Sequence, residues 1–267
     1  MNGFLKKKKM INKEYKEIIR AAKAGGEAIK KYFGKVLEIE GKSSPADFRT
    51  KADLDSEKVI IKILTKAFPT YNIISEEAGE IDKNSEYTFI IDPLDGTNNF
   101  VLGIPYFSVG IGLMKGSETI FGVVYNPVLN NLYFAERGKG SFMNNEKIHV
   151  NKETNIKNTT VCVVMAYEDK VEYQNNIILS LERNNVKRVL RNWSCLLDFC
   201  LLASGRLESI IFHDCPLYDF IPGKLIAKEA GASVTRFDGK LEEDDRNNTF
   251  LATNGTKIHK EILEFLK

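Results

Sequence analysis

Two carboxylates and a hydroxyl follow an apolar run in the middle of the chain, between Phe89 and Phe100. Asp92 and Asp95 are costly to bury unless they are paired or bind a metal ion. The segment therefore predicts a strand that ends at a polar cleft, where a hard cation and a phosphate group could meet. Asp-Pro and Asp-Gly pairs are also common in surface turns, and a turn is the second interpretation of this segment taken alone.

Other acidic residues stand beside predicted strand or helix ends in three further segments. These residues are Asp53, Glu76 with Glu77, and Asp219. Carboxylates gathered in one place repel one another without cations, and Mg²⁺ prefers octahedral coordination by oxygen. The pattern favours magnesium over zinc, because the three histidines lie far apart and show no zinc motif. Calcium fits less well, since the chain has no EF-hand loop.

The residues that follow Asp95 predict a place for a phosphate group. Gly96 permits close approach to the backbone, and with Thr97 it can begin a short helix whose free N–H groups receive phosphate oxygens. Leu94 offers only its backbone carbonyl as a ligand, and two metal ions could share Asp92. The chain lacks the G-x-x-x-x-G-K-[ST] loop, which argues against an NTPase of that type. The expected reaction is phosphate ester hydrolysis.

Two of these acids also have structural interpretations. Asp53 fits the N-cap of a predicted helix. Asp219 fits the N-cap of the helix after it, a role that is compatible with presenting its second oxygen to a cation. Of Glu76 and Glu77, only one is expected to be a direct ligand, because successive residues point in opposite directions.

The elements that must position these residues indicate a mixed α/β fold. An amphipathic helix ends near Gly34, and an antiparallel meander is predicted from Ser108 to Ala135. Further strands are predicted at 72–75, 161–165, 186–190, 210–212, 233–235 and 250–253, and helices at 171–183, 194–203, 220–230 and 256–266. We predict a flexible basic tail at 1–12, an α+β region at 13–152 with most metal ligands, and an α/β region at 153–267 that completes the site.

Composition indicates a cytoplasmic protein with no nucleic-acid or membrane partner. The 267 residues carry a formal charge of +2, so no global field attracts a charged macromolecule. The lysine run Lys6 to Lys9 is followed by no secretory apolar segment. The four cysteines lack C-x-x-C spacing and are expected to be reduced core thiols.

Several motifs together resemble the inositol monophosphatase family of lithium-sensitive, magnesium-dependent phosphatases. They are Lys42 to Asp47 with Thr50 and Asp53, Ser75-Glu76-Glu77, Ile91 to Phe100, Gly122 to Pro127, Tyr218-Asp219 and Lys228 to Ala232. They occur in the family's order from about Glu14 to the end of the chain. The resemblance implies a layered αβαβα sandwich of the inositol monophosphatase/fructose-bisphosphatase type, usually a homodimer, that acts on a small phosphorylated substrate.

The resemblance also implies a cofactor of two or three Mg²⁺ ions. Glu76, Asp92 and the carbonyl of Leu94 would hold the first ion. Asp92, Asp95 and Asp219 would hold the second, and Glu76 would serve a third. Glu76 thereby counts as a catalytic residue as well as a ligand, and Asp219 is also expected to contact the substrate.

Catalytic and substrate roles follow from the same resemblance. The nucleophilic water is expected near Thr97 and Asp53, and the loop around Lys42 would close over the site. Phosphate oxygens would contact Gly96 and Thr97, with Asn98 beside them.

The chain departs from the family where the substrate is recognised. Trp193 and Leu196 stand where the family typically has glycine and small residues. A glutamate that many members use to bind an inositol hydroxyl aligns with Phe212, and His213 or Asp214 is expected to substitute for it. The sequence therefore leaves open a 3′(2′),5′-bisphosphate nucleotidase, with Trp193 stacking on a base, or a fructose-1,6-bisphosphatase. A non-catalytic regulatory protein on the same fold is the alternative from another class.

Overall fold

The structure is a computed structural model that describes residues 13–166 and 171–267. The predicted basic tail at 1–12 lies outside these residues. Across the described ranges, no helix is both long and apolar enough to cross a membrane.

The first part of the chain forms a large sheet with two long helices. The helices are α1 (Lys13–Lys30), α2 (Lys51–Ala67) and the short α3 (Thr97–Val101). The strands are β1 (Ile39–Gly41), β2 (Phe48–Thr50), β3 (Asn72–Ser75), β4 (Gly79–Ile81), β5 (Tyr87–Asp95), β6 (Ser108–Lys115), β7 (Glu118–Asn126), β8 (Asn131–Glu136), β9 (Gly140–Met143) and β10 (Glu146–Ile148). Strands β1 and β2 pair alone, and the other eight follow the order β10-β9-β8-β7-β6-β5-β3-β4.

The second part of the chain forms a five-stranded sheet. Its strands are β11 (Thr160–Met165), β12 (Arg188–Leu190), β13 (Ser209–His213), β14 (Ser233–Thr235) and β15 (Thr249–Thr253), in the order β12-β11-β13-β15-β14. Its helices are α4 (Val171–Arg183), α5 (Cys195–Ala203), α6 (Ile221–Glu229) and α7 (Ile258–Phe265). The predicted division at residue 153 falls between β10 and β11, and as a domain boundary it stays a prediction.

The central strand β5 shows why the elements stack in layers. Phe89 and Ile91 point to one face of the large sheet, where α1 and α2 cover them, whereas Ile90 points to the other face and packs with Phe199 of α5. A strand buried on both faces is apolar at every position rather than at alternate ones. Helices α5 and α6 therefore lie between the two sheets, and α4 and α7 cover the outer face of the smaller one. This arrangement confirms the predicted αβαβα fold.

Strand β5 does not end at Asp92, as the sequence predicted, but continues to Asp95. The pairing with β6 shifts register between Asp92 and Asp95, because Pro93 has no N–H to donate to the ladder. Helix α1 ends at Lys30, before the predicted Gly34. The sequence analysis also missed β1, β2, β4, β9 and β10, which are only three or four residues long.

Candidate active site

A cleft of about 750 Å³ brings together most of the residues that the sequence analysis singled out. Residues of both sheets line it. The predicted site residues among them are Glu76, Asp92, Leu94, Asp95, Gly96, Thr97, Asn98, Trp193 and Asp219. Lys42, Asp53 and His213 do not line the cleft. Lys42 and Asp53 nevertheless contact residues that do.

The bulge in β5 fixes Asp92 at the floor of the cleft. Its Oδ1 accepts a hydrogen bond of 3.0 Å from the backbone N–H of Leu94, which closes a tight turn around Pro93. From α2, Ser56 donates to the Pro93 carbonyl at 2.7 Å. The turn is therefore held from inside and from the helix behind it, so the Asp92 carboxylate is presented by a rigid backbone.

Two hydroxyls orient the neighbouring carboxylate of Asp95. Ser108 of β6 and Ser194, just before α5, donate to the same oxygen, Oδ2, at 2.8 and 2.6 Å. Neither hydroxyl binds Oδ1, and the backbone N–H of Leu196 also donates to this carboxylate. The sequence analysis did not identify either serine, since neither belongs to a motif.

Glu76 follows β3 and lines the cleft, whereas Glu77 does not. The Lys42 ammonium donates to Glu76 at 2.8 Å and also to Glu77, which in addition accepts a bond of 3.3 Å from Arg49. Two cations thus balance Glu77, and its side chain is buried. Glu76 is the glutamate of this pair with access to the cleft.

Glu57 of α2 holds the turn that carries Glu76. Its Oε1 accepts bonds from the Ser75 hydroxyl and from the backbone N–H groups of Glu77 and Ala78, the last at 2.9 Å. The sequence analysis missed this residue. The available signal was an acid on the same helical face as Ile60 and Leu64, which is the buried face of α2.

Asp53 is not the N-cap of α2, which corrects the sequence prediction. Thr50 is the N-cap, and Asp53 at the third helical position completes a capping box, with Oδ2 accepting from the Thr50 N–H at 2.8 Å and its hydroxyl at 2.6 Å. The other oxygen, Oδ1, lies 3.1 Å from the Thr97 hydroxyl. That hydroxyl also lies 3.0 Å from the carbonyl oxygen of Leu94. Asp53 therefore reaches the cleft through Thr97.

Asp219 is not an N-cap either. It ends a single 3-10 turn, Leu217–Asp219, and α6 begins at Ile221 with Phe220 as its N-cap. The N-cap interpretation is wrong for this residue, and its carboxylate lines the cleft opposite the acids of the large sheet.

Burial makes ionisation of these acids unfavourable in the absence of a cation. It raises the pKa of Asp53 to about 6, that of Glu76 to about 7 and that of Asp95 to about 7. The pKa values of Asp92 and Asp219 lie well above their usual range, because burial is reinforced by the charges of Glu76 and Asp95. A bound cation would offset both effects.

The donor set fits a hard cation such as Mg²⁺ by its chemistry, since it consists of carboxylates and one backbone carbonyl. The carboxylates share the cleft, but among the described residues no three acidic, histidine or cysteine side chains are already close enough together to hold an ion.

The residues around the start of α3 and the Trp193 turn explain the shape of the cleft. Gly96 has a φ of +88°, and a Cβ there would lie 3.1 Å from the Trp193 carbonyl oxygen, so only glycine fits without strain. Asn98 donates to the Ala46 carbonyl at 2.8 Å. Trp193 itself has a φ of +55° and is 52% exposed at the cleft. A bulky residue in this backbone conformation is a rare, strained arrangement.

The predicted substrate residue His213 lies outside the cleft lining. Its Nδ1 is 3.1 Å from the Thr249 hydroxyl, and its ring packs against Tyr173 and Phe237. Phe212 is fully buried and stacks on Phe250, so it does not face the substrate. The residue of this segment that does line the cleft is Asp214.

The fold and the carboxylate cleft define a known class of protein. The chain matches the Inositol monophosphatase family over residues 11–267. It belongs to that family.

Individual relatives carry different names. The chain is 34% identical over 229 residues to a fructose-1,6-bisphosphatase/inositol-1-monophosphatase of Aquifex aeolicus, covering 84% of this chain and 86% of the relative. It is 35% identical over 252 residues to Nus factor SuhB of Vibrio cholerae, covering 93% and 94%. Its structure superposes on the extragenic suppressor protein suhB of Bartonella henselae with a TM-score of 0.87 and 30% identity, covering 94% and 97% of the two chains.

Proposed function

We propose that the protein hydrolyses a small phosphomonoester, of the inositol monophosphate type, with Mg²⁺ as cofactor and a metal-activated water as nucleophile. The observation that carries the proposal is that acids from three separate stretches of chain, Glu76, Asp92 with Asp95, and Asp219, meet in one cleft beside the start of α3. Membership of the inositol monophosphatase family supports the same reaction class.

In this proposal the cleft holds two or three Mg²⁺ ions. Glu76, Asp92 and the Leu94 carbonyl bind one ion, Asp92, Asp95 and Asp219 bind another, and Glu76 serves a third. When bound, Mg²⁺ lowers the pKa of a water molecule, neutralises phosphate charge and aligns the attacking and leaving groups. In the structure the Lys42 ammonium is bonded to Glu76, so Lys42 would have to move aside for an ion to bind there.

Asp53 and Thr97 would carry the proton released by the attacking water. The Thr97 hydroxyl takes that proton as it passes its own to Asp53 Oδ1, which lies 3.1 Å away. The other oxygen of Asp53 is occupied by Thr50, so Oδ1 is the acceptor. A pKa of about 6, raised chiefly by burial, suits a group that accepts a proton near neutral pH.

The substrate would bind between α3 and the Trp193 turn. Gly96 and Thr97 contribute free backbone N–H groups at the start of α3, which suit phosphate oxygens, and Asn98 lies beside them. Trp193 contacts the rest of the substrate. His213 is a further candidate substrate contact. Its ring packs against Tyr173, so the end of β13 would have to shift for His213 to reach the substrate.

A phosphate-release assay tests the proposed function. The panel contains inositol 1-phosphate, fructose 1,6-bisphosphate and 3′-phosphoadenosine 5′-phosphate, each with Mg²⁺ and with EDTA. We expect Mg²⁺-dependent release from at least one substrate, and the ranking separates the inositol, sugar-bisphosphate and nucleotide alternatives. An Asp92→Asn protein purified in the same way controls for contaminating phosphatases. Absence of release from every substrate would contradict the proposal.

The resemblance adds a homodimer and inhibition by lithium to the proposal, and the composition adds a cytoplasmic location. Light scattering on the purified protein is expected to give twice the chain mass of 30.2 kDa. A mass equal to one chain would contradict the dimer, and full activity in millimolar lithium would contradict the inhibition.

A regulatory role is the second candidate, favoured by the relative that is named a Nus factor. Such a role would depend on a binding surface and not on turnover. If Asp92→Asn abolishes phosphate release but preserves the cellular phenotype of the intact gene, regulation is the better account. Loss of both supports catalysis.

A further inference from the structure

Three hydrogen bonds near the cleft join the large sheet to the α5 side of the molecule. They connect Ser194 to Asp95 at 2.6 Å, Asn99 to the Asn192 carbonyl at 2.7 Å, and Tyr106 to Asp198 at 2.7 Å. Asp95 ends β5, Asn99 lies in α3 and Tyr106 lies between α3 and β6. On the other side, residues 192 and 194 precede α5, and residue 198 lies in its first turn. We call this set of six residues the seam.

Four of the six seam residues are buried, and one of them is the carboxylate of Asp198. Asp198 is 1% exposed and has no cation beside it among its hydrogen-bond partners. Its Oδ1 accepts from Tyr106 and from the Asn192 side chain, each at 2.7 Å, and its Oδ2 accepts from Cys162 at 3.0 Å. A buried carboxylate with three neutral donors fixes those donors in direction, because losing any of them leaves a desolvated charge short of a partner.

The turn on the α5 side of the seam is held in a strained conformation. Trp193, at its centre, has a φ of +55°, which bulky residues rarely adopt. The bonds of Asn192 and Ser194 on either side hold it there. Such strain persists only where the surrounding contacts over-determine the backbone, and it concentrates at functional sites.

The seam also connects to the most distant acid of the cleft. Asp198 lies on α5, and α5 packs so closely on α6 that a Cβ on Gly223 would lie 2.7 Å from the ring of Phe199. Asp219 stands two residues before α6. The position of Asp219 relative to Asp95 therefore depends on two contacts. One is the direct packing of α6 on the large sheet, where a Cβ on Gly122 would lie 2.7 Å from the Pro222 carbonyl oxygen. The other is how α5 sits beside α6 against that sheet, and the seam bonds are directional contacts at the α5 junction.

We propose that Tyr106, Asn192, Ser194 and Asp198 are positioning residues that align Asp219 with Asp95 so that both carboxylates bind one ion. None of the four is assigned as a ligand. The inference rests on the metal site of the proposed function, but not on turnover. It predicts that breaking the seam weakens the ion shared by the two halves and spares the ion held by Glu76, Asp92 and Leu94.

Calorimetric titration of the full chain with Mn²⁺ tests this proposal without any activity measurement. Wild-type protein is expected to show two resolved sites, of which the proposal assigns the weaker one to Asp95 and Asp219. Ser194→Ala should weaken the weaker site by about 10- to 100-fold, the range typical for partners that orient metal ligands. Tyr106→Phe, which touches no proposed ligand, should weaken it by roughly 3- to 10-fold, since it removes one bond to a buried charge. The tighter site should change by less than about 2-fold in both variants.

The matched control for Tyr106→Phe is Tyr133→Phe, at a buried tyrosine of β8 that is outside the seam. It should leave both sites unchanged. Asp198→Asn keeps an oxygen that accepts from Tyr106 and Asn192, so it should retain more of the weaker site than Asp198→Ala. This pair keeps the proposal testable should Ser194→Ala fail to fold.

Two outcomes would overturn the proposal that the seam residues position the shared metal site. One is wild-type affinity at both sites in folded Ser194→Ala and Tyr106→Phe, and the other is equal weakening of both sites. Wild-type protein that binds two Mn²⁺ ions but releases no phosphate from any substrate would contradict the proposed function. It would not contradict the positioning role of the seam residues. Phosphate release by the wild type, together with unchanged Mn²⁺ affinities in the variants, would contradict only the positioning role of the seam residues.

Discussion

The two sheets contribute to the cleft in different ways. The eight-stranded sheet presents Glu76, Asp92 and Asp95 at the ends of the adjacent strands β3 and β5. The five-stranded half adds one proposed metal ligand, Asp219, together with the wall that contains Trp193. In the proposed mechanism the large sheet therefore supplies most of the reaction chemistry, and the smaller half completes it and shapes the space for the rest of the substrate. Changes in the two halves should then affect different kinetic constants.

The largest expected effect is at the acid that both ions would share. Asp92→Asn removes one negative charge from each proposed site, and we expect kcat to fall on the order of 10³-fold or more. Asp82→Asn, at an exposed aspartate after β4, is the matched control and should retain full turnover. Equal activity of both variants would show that the large sheet does not supply the chemistry.

Asp53→Asn should lower kcat by about 10²-fold, since general acid-base groups contribute roughly that much or more. The wild-type rate should rise with pH along an acidic limb, because Asp53 accepts a proton only when it is ionised and burial raises its pKa. The variant should lack this acidic limb. A pH profile that is unchanged in the variant would exclude Asp53 from proton transfer.

Substitution of Trp193 tests the contribution of the smaller half to substrate binding. Trp193→Ala should raise KM by about 10-fold for a substrate whose ring packs on the indole and change kcat by less than about 2-fold. Trp193→Phe should recover part of the loss, because it keeps an aromatic face. A fall in kcat without a change in KM would instead place this turn in the chemical step.

The smallest expected effect is on stability. Folding raises the pKa values of Glu76 and Asp95 from 4.5 and 3.8 to about 7. The folded state therefore binds more protons than the unfolded state between about pH 4 and pH 7, so metal-free protein should lose stability as pH rises through this window. Mg²⁺ at about 100 times its Kd contributes about 2.7 kcal/mol, which raises Tm by several degrees. Calorimetry should show a larger Mg²⁺ shift at pH 8 than at pH 5.5.

The contrast between the two sheets also explains which parts of the fold and the site could be predicted from the sequence. The acids of β5 could be found because short-range rules act on them: an apolar run buried on both faces must end where its carboxylates have polar neighbours. The resemblance to a family then gave the order of the remaining motifs. Asp53 and Asp219 were located correctly but assigned the wrong local role, because Thr50 and Phe220 cap the helices instead.

The supporting residues could not be predicted from local patterns. Ser194 reaches Asp95 across 99 positions of sequence, and Asp198 reaches Tyr106 across 92. Such contacts depend on how α5 packs against the large sheet, and a serine or a tyrosine carries no local signal of its distant partner. His213 illustrates the same limit. A shift of one residue at the end of β13 decides whether His213 or the next residue, Asp214, faces the cleft.

The central claim is that carboxylates from both halves act on one set of ions, and Asp219 tests it most directly. Phosphate release by wild-type protein and by Asp219→Asn should be measured over a range of Mg²⁺ concentrations with the best substrate of the panel. We predict that wild-type activity disappears in EDTA and that the variant loses most of its turnover at Mg²⁺ concentrations that saturate the wild type. Turnover and Mg²⁺ dependence equal to those of the wild type would contradict the account, because the large sheet alone would then suffice.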